Sequence, residues 1–477
     1  MTSASNIENV LVSVSRKISP SENERRKVVS LAGRLVKRVE RAAVRAKVEA
    51  RVRVEGSVAK DTWLRKEPDI DIFLQLPAST PREALGSVCL KIAREATKGS
   101  KQVERFAEHP YLEAFVDSTR VNIVPCYRSK PGEWLSATDR TPYHTDFAKP
   151  RLNDRLRNEI RLLKRFMKGI GVYGAEIKIG GFSGYLCELL TLQYGSFEDV
   201  LKAAAAWRKP WTIDYLRYYR GKEEDLPKIF AEPLIVVDPV DKGRNVASAV
   251  RQDRLIEFVA ASRQFLKSPV EKFFFLQPIK ILNRGQLLRS MKKRGTALVL
   301  VRIGQVKAVP DILWGQLYKT QRSLRRLLTQ NDFCVINDAA WSDEAGLSML
   351  LFEVEDRFLS QTKKHLGPPI EKRAECERFL RKHVRAPTTI SGPRLEYERW
   401  VVEVKRKHVD IVDLLRENLK QGGRQVGVAG LISKAFTTKV NVLVNEEIAG
   451  VYGANRDFAE FFTEYIKGKP RWLALSD

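Results

Sequence analysis

Apolar positions along this chain switch repeatedly between helical and strand spacing. Between residues 21 and about 49, Leu31, Leu35 and Val39 recur at helical intervals. Ser21, with Glu24 three residues on, has the pattern of a capping box, so the stretch predicts one helix. Residues 50–54 and the run Asp69-Ile70-Asp71-Ile72-Phe73-Leu74 predict strands, joined through a Gly56-Ser57 turn and a short helix. Residues 81–98 predict a further helix. Residues 111–116 and 120–124 predict a hairpin that turns at Asp117-Ser118-Thr119. Together these elements make an α+β unit with a small sheet.

Leu152, Leu156, Ile160, Leu163, Met167 and Ile170 then form a helical stripe, predicting a long helix from residue 151 to about 167. Arg155, Arg161, Lys164, Arg165 and Lys168 fall on its other faces, mostly a solvated surface with one or two within reach of a phosphate. Gly169, Gly171 and Gly174 end it, and Gly180-Gly181 introduce a second helix near Ser183. Residues 233–239 predict a buried strand leading into a loop at 241–245, and residues 252–266 predict a helix. Further on, strands at 296–303, 347–354 and 400–405 alternate with helices at 311–328 and 370–383. Gly367-Pro368-Pro369 reads as a turn, and a helix closes the chain. This is a second α+β body. Its apolar stripe of Ile411, Leu414 and Leu415 suits a core or a homodimer interface equally.

Length and charge narrow the class. The chain has 477 residues, 43% of them hydrophobic, enough for two to four domains with their own cores. Its 84 Lys+Arg against 58 Asp+Glu give a net charge of +26, dispersed along the chain, which predicts a broad surface facing a polyanion. The five cysteines, Cys89, Cys126, Cys187, Cys334 and Cys376, fit neither a zinc ligand spacing nor a disulfide framework, which points to a reducing compartment. The polar start carries no signal-peptide core, and no apolar run reaches the roughly 18 residues of a membrane helix. The expectation is a cytoplasmic protein with no membrane partner.

The candidate chemistry lies at Asp69 and Asp71. Alternation on a strand places both carboxylates on one face, where they repel each other unless a cation intervenes. Hard oxygen ligands with few protein contacts suit Mg2+, which keeps waters and substrate phosphates in its shell. Gly56 and Ser57, a dozen residues upstream, offer a turn whose N–H groups and hydroxyl suit a phosphate. This is the spacing of a nucleotidyltransferase, in which a hydroxyl attacks an α-phosphorus between two metals roughly 4 Å apart. A surface D-x-D on an ordinary strand is the bland alternative.

The words EGSVAKDTWL, DIDIFLQLP, EHPYLEAF, VNIVPCY, DRTPYH, IRLLKRFMKGIGVYGAEIKIGGFSGYLCELL, VVDPVDKGRNVA and HLGPPIE occur in order between residues 55 and 371. In these words the chain resembles the archaeal-type (class I) CCA-adding enzymes, which are tRNA nucleotidyltransferases. The resemblance implies a polymerase-beta-like catalytic domain at residues 1–150. A mostly helical central domain that selects nucleotide and base would follow at 151–270, and an α+β C-terminal RNA-binding body and tail at 271–477. It implies template-independent addition of C, C and A to tRNA from CTP and ATP, with the acceptor stem and T-loop side held by the C-terminal regions. It further implies metal ligands at Asp69 and Asp71, and nucleotide contacts at Gly56, Ser57, Lys60, Thr141, His144, Lys164, Tyr173 and Arg244. Lys60 stands where the family often has arginine. Read singly, His144 is equally a loop histidine, Lys164 a solvated residue, Tyr173 a core aromatic and Arg244 a salt-bridge partner.

One departure stands out. Where the family word has a third catalytic aspartate, this chain has Asn122. An amide offers only a neutral oxygen, so attraction for the metal that activates the attacking hydroxyl is lost, and with it any role as proton acceptor. Catalysis is expected to suffer more than binding. Glu113, on the partner strand, is a candidate to compensate. The rivals are a catalytically inactive protein that binds tRNA 3′ ends on the same scaffold, and a poly(A)-type or uridylyl transferase.

Overall fold

The first element, α1 (Ser3–Ile18), is one the sequence pattern does not announce: its serines and β-branched residues blur the stripe of Ile7, Val14 and Ile18 that it buries. Helix α2 (Glu22–Arg45) begins as expected. Ser21 Oγ accepts from the Glu24 N–H at 3.2 Å, and the Ser21 N–H donates to the Glu24 carboxylate at 2.8 Å. Next come β1 (Arg51–Glu55), α3 (Gly56–Lys60), β2 (Asp69–Leu76), α4 (Arg82–Ala96), β3 (Lys101–Phe106), β4 (Pro110–Val116) and β5 (Thr119–Tyr127). The computed structural model describes residues 3–106, 108–276, 278–436 and 440–473.

The five strands form one sheet in the order β1-β2-β5-β4-β3. Strand β2 runs parallel to β5, and the other neighbours are antiparallel. Ile70, Ile72 and Leu74 are fully buried against Leu31, Leu35 and Val39 of α2 and Leu85 and Cys89 of α4. The alternation of β2 therefore turns Asp69 and Asp71 to the opposite face. Strand β3 escapes the hydrophobic pattern because KQVERF lies at the sheet edge, where charged side chains are normal.

After the sheet come α5 (Thr141–Ala148), α6 (Asp154–Gly169), α7 (Gly184–Tyr194), α8 (Phe197–Ala206), β6 (Trp211–Ile213), α9 (Leu226–Ile229), β7 (Leu234–Asp238), β8 (Asp241–Asn245) and α10 (Gln252–Lys267). Helix α6 starts three residues later than its stripe suggests, because Asn153 caps it by accepting from the Leu156 N–H at 2.9 Å. A phenylalanine-rich core of Phe166, Phe182, Phe197, Phe258 and Phe265 joins α6, α7, α8 and α10. The expected loop at 241–245 is a strand. Its polar residues hide a hairpin in which Asn245 pairs with Val237, while the Asn245 side chain accepts from the Val236 N–H and donates to the Leu234 carbonyl.

The chain divides into two compact units, residues 1–278 with 469–477, and residues 279–468. The second carries an antiparallel four-stranded sheet built from Val335–Ser342, Ser348–Val354, Ala297–Ile303 and Asn441–Val444, and a three-stranded sheet built from Thr362–Pro369, Arg399–Lys405 and Thr389–Glu396. Gly367-Pro368-Pro369 is not a turn but the end of a strand, and its helix begins only at Arg373. A Cβ on Gly367 would lie 2.8 Å from the Phe379 ring, so this glycine lets helix and strand approach. Ile411, Leu414 and Leu415 lie inside the core of this unit. No helix among the described residues is long and apolar enough to cross a membrane.

Candidate active site

Four side chains on β2 and β5 form a block. The parallel register sets Asp69 beside Arg120 and Asp71 beside Asn122. Arg120 clamps the Asp69 carboxylate through two nitrogens, with Nε at 2.7 Å from Oδ1. Asn122 Nδ2 donates to Asp71 Oδ1 at 2.9 Å, so the amide presents its nitrogen, not its oxygen, to the carboxylate. Burial pushes the Asp71 carboxyl up to about 6. The Asn122 hydrogen bond and the charges of Arg120 and Lys60 pull the other way, and Asp69 adds to the rise. Gly56, at φ +69°, packs directly on this group: a Cβ there would lie 2.3 Å from Asp71 Oδ2.

Glu113 occupies the position expected of it, in register with Asn122 on the next strand. It is not idle. Arg105 donates to it at 2.8 and 3.2 Å, and Arg120 Nη1 lies 3.9 Å away.

Beside the block runs a buried seam of charged and aromatic groups. Lys60 and Lys164 are both almost fully buried, which removes the solvated-face reading of Lys164. They share one carboxylate, Glu188, with Nζ to oxygen distances of 2.5 and 3.3 Å. Lys164 also donates to Thr62 Oγ1 at 2.9 Å, and Thr62 donates to Glu188 at 2.8 Å. Burial alone would raise the Glu188 carboxyl, but the two lysines and Thr62 outweigh it and hold it below the usual carboxylate range. Gly184, at the start of α7, leaves room for the Tyr173 hydroxyl and Lys164 Nζ, which would lie 3.1 and 3.6 Å from a Cβ there.

The seam continues through Tyr185. Its ring lies 5.5 Å from Lys60 Nζ and stacks on His144 at a centroid distance of 4.0 Å. His144 Nε2 meets Asp238 at 2.9 Å, and Arg244 Nη1 donates to the same carboxylate at 2.6 Å. Burial holds the His144 imidazole below its usual value, with Asp238 opposing. Thr141 opens α5 one turn before His144, and Ser57 is the second residue of α3.

The fold thus gathers the expected residues into one unit: Asp69, Asp71, Asn122 and Gly56 in the block, and Lys60, Lys164, Tyr173, His144 and Arg244 along the seam. Pattern reading passes over Arg120, Glu188, Tyr185 and Asp238. Glu188 had a signal, a lone charge inside the apolar run GYLCELL, and so did Asp238, which ends the buried strand LIVVD.

Two carboxylates on one strand face, with a glycine in place of any side chain that would crowd them, fit one divalent cation of hard-ligand character. Among the described residues no group of three acids, histidines or cysteines suits a metal, so the donors on this face are the two carboxylates.

Residues 36–144 match the nucleotidyltransferase domain model. With the paired aspartates of β2, this makes the protein a nucleotidyltransferase with a polymerase-beta-like catalytic domain. Residues 158–275 match the second domain of tRNA nucleotidyltransferase, and residues 294–443 match the C-terminal domain of CCA-adding enzyme. The CCA-adding enzyme of Methanothermobacter thermautotrophicus is 36% identical over 466 residues, covering 96% of this chain and 97% of the relative. That of Methanosarcina mazei is 35% identical, covering 98% and 100%, and that of Methanocaldococcus jannaschii is 38% identical, covering 79% and 84%. The chain belongs to the CCA-adding enzyme family and is a tRNA nucleotidyltransferase. A solved structure of the Cid1 RNA terminal uridylyl transferase matches at a TM-score of 0.45 and 17% identity, covering 57% of this chain and 100% of that one.

Proposed function

We propose that this protein adds or repairs the 3′-terminal CCA of tRNA from CTP and ATP, with Mg2+, at a rate limited by Asn122. The observation that carries the reading is the block of Asp69, Asp71 and Asn122 on one sheet face, in a chain whose relatives along nearly their full length are CCA-adding enzymes. Nucleotidyltransferases of this kind generally depend on a divalent metal. Asp69 and Asp71 would hold it, and when bound it would neutralise charge on the nucleotide's phosphates. Gly56, Ser57, Lys60, Lys164 and Tyr173 bind the triphosphate in this reading, while Thr141, His144 and Arg244 contact the nucleotide and Arg244 selects the base. Residues 1–150 are the catalytic domain, 151–270 the central domain, and 271–477 the body that grips the tRNA.

Two tests follow from the chemistry of residue 122. Single-turnover incorporation on tRNA lacking its terminal A is expected to rise about 10²-fold or more in Asn122→Asp, because a carboxylate restores both a metal ligand and a proton acceptor. Affinity for tRNA should change little. Equal rates for the two proteins would refute the proposed impairment. A second reading, an inactive binder of tRNA 3′ ends, draws support from the Arg120 clamp on Asp69 together with Asn122. Any CMP or AMP incorporation by the unmodified protein excludes it. A product that stops at a defined CCA end excludes a tailing transferase.

A further inference from the structure

We infer that the Arg120 guanidinium takes the place of the second catalytic cation, so that this active site works with a single exchangeable divalent metal. The inference rests on the nucleotidyl-transfer reading above and asks what the Asn122 block is built to hold.

Charge is the first argument. A block of three carboxylates carries three negative charges. Here Asn122 removes one and Arg120 cancels another, leaving a single net negative charge on the two strands. The difference of two charges equals that of one divalent cation. Coulomb attraction for a second metal falls accordingly, in a partly buried site where charges are weakly screened.

Geometry is the second argument. Arg120 and Asn122 are two residues apart on β5, so their side chains share the face of Asp69 and Asp71. Arg120 sits directly across from Asp69, grips it with two nitrogens, and reaches toward Glu113 as well. A guanidinium held between carboxylates is a permanent, oriented positive charge. Its remaining N–H donors are of the kind that recognise phosphate oxygens in forked pairs. Asn122 meanwhile turns its amide nitrogen toward Asp71, which is the arrangement of a donor rather than of a metal ligand. The remaining lone pairs of Asp69 and Asp71 still suffice for one hard cation shared with a triphosphate.

The test counts metals. The full chain is titrated with Mn2+ in the presence of a non-hydrolysable CTP analogue, and the free ion is followed by electron paramagnetic resonance. The expected stoichiometry is about one Mn2+ per chain for the unmodified protein and about two for the double variant Arg120→Ala/Asn122→Asp. Two ions on the unmodified protein, or one on the double variant, would overturn the inference. In single-turnover CMP incorporation, the rate should rise with the first power of Mg2+ concentration for the unmodified protein and more steeply for the double variant. Arg120→Ala alone should slow incorporation at least about 10-fold, with partial recovery in Arg120→Lys; a rate unchanged within about twofold would count against the role. The two readings fail separately. Absence of incorporation by every variant, including Asn122→Asp, defeats nucleotidyl transfer, whereas two Mn2+ ions on an active unmodified protein defeat only the Arg120 substitution.

Discussion

Gly56 and Asp71 occupy space that two ordinary side chains cannot share. The glycine holds φ +69°, and a Cβ would lie 2.3 Å from Asp71 Oδ2. Gly56→Ala should therefore cost about 1–3 kcal/mol in backbone strain alone and displace the carboxylate besides. Thermal unfolding should show the lower stability, and incorporation should fall further than stability does; an active Gly56→Ala protein would show that the close packing on Asp71 is dispensable. Glu188 is the second pivotal residue. Its carboxylate lies within ion-pair distance of two buried lysines, Lys60 and Lys164. Glu188→Gln leaves both cations uncompensated, and the expected cost is about 3–5 kcal/mol. The pH dependence has a definite sign. The folded carboxyl lies below its unfolded value of about 4.3, so its contribution is complete above that pH and is lost as pH falls through the lower folded value. The Tm gap between the protein and Glu188→Gln should be wide near neutrality and narrow progressively as pH falls below about 4.3. A gap that stays constant across that range would assign the loss to packing instead. Glu188 and Arg120 show where reading residues one at a time stops. Both matter through partners that lie far away in sequence or on another strand, and only the register reveals them.

At the scale of elements, Arg161 joins Lys164 in tying α6 to the segment after α3. Arg161, almost fully buried, donates to the Trp63 carbonyl at 3.0 Å, to the Asp61 carboxylate at 2.7 Å and to the Asp61 carbonyl. These bonds fix the helix that carries Lys164 against the segment that follows Lys60 at the end of α3. Arg161→Met keeps the aliphatic volume but strands the carbonyls, so a loss of about 2–4 kcal/mol is expected, together with a raised KM for CTP. A variant that loses stability but keeps its KM would detach Arg161 from nucleotide binding. Elements whose side chains alternate or stripe strongly, such as α2, β2 and α6, were legible in the sequence because one face of each is buried. Elements that pair through the backbone or sit at an edge were not. The Asp241–Asn245 strand is polar and held by its hairpin, and Lys101–Phe106 is an edge strand with charged side chains. The same limit explains the site: the D-x-D pair follows from alternation on a single strand, whereas the partners of those aspartates depend on which strands lie side by side.

For the whole molecule, charge makes a prediction that separates binding from chemistry. The net charge of +26 is far larger than the block or the seam needs, since those are close to internally balanced. If the proposed tRNA grip holds, the excess is expected on surfaces that face the RNA phosphates. Exposed phosphate contacts release counterions on binding and are screened within about 10 Å at 0.1 M salt, while buried pairs such as Glu188 with Lys60 and Lys164 are screened far less. Raising salt should therefore weaken tRNA binding steeply and leave the internal site nearly untouched. With about 6–10 phosphate contacts, affinity for tRNA should fall about 10³–10⁵-fold between about 50 and 200 mM salt. Over the same range kcat at saturating tRNA should change by less than about threefold, while KM for tRNA follows the affinity. Filter binding and steady-state incorporation on the same protein measure both. A kcat that falls in step with affinity would mean that the catalytic block, and not only the RNA grip, depends on screened surface charge. A binding constant indifferent to salt would mean that the positive excess does not face the RNA.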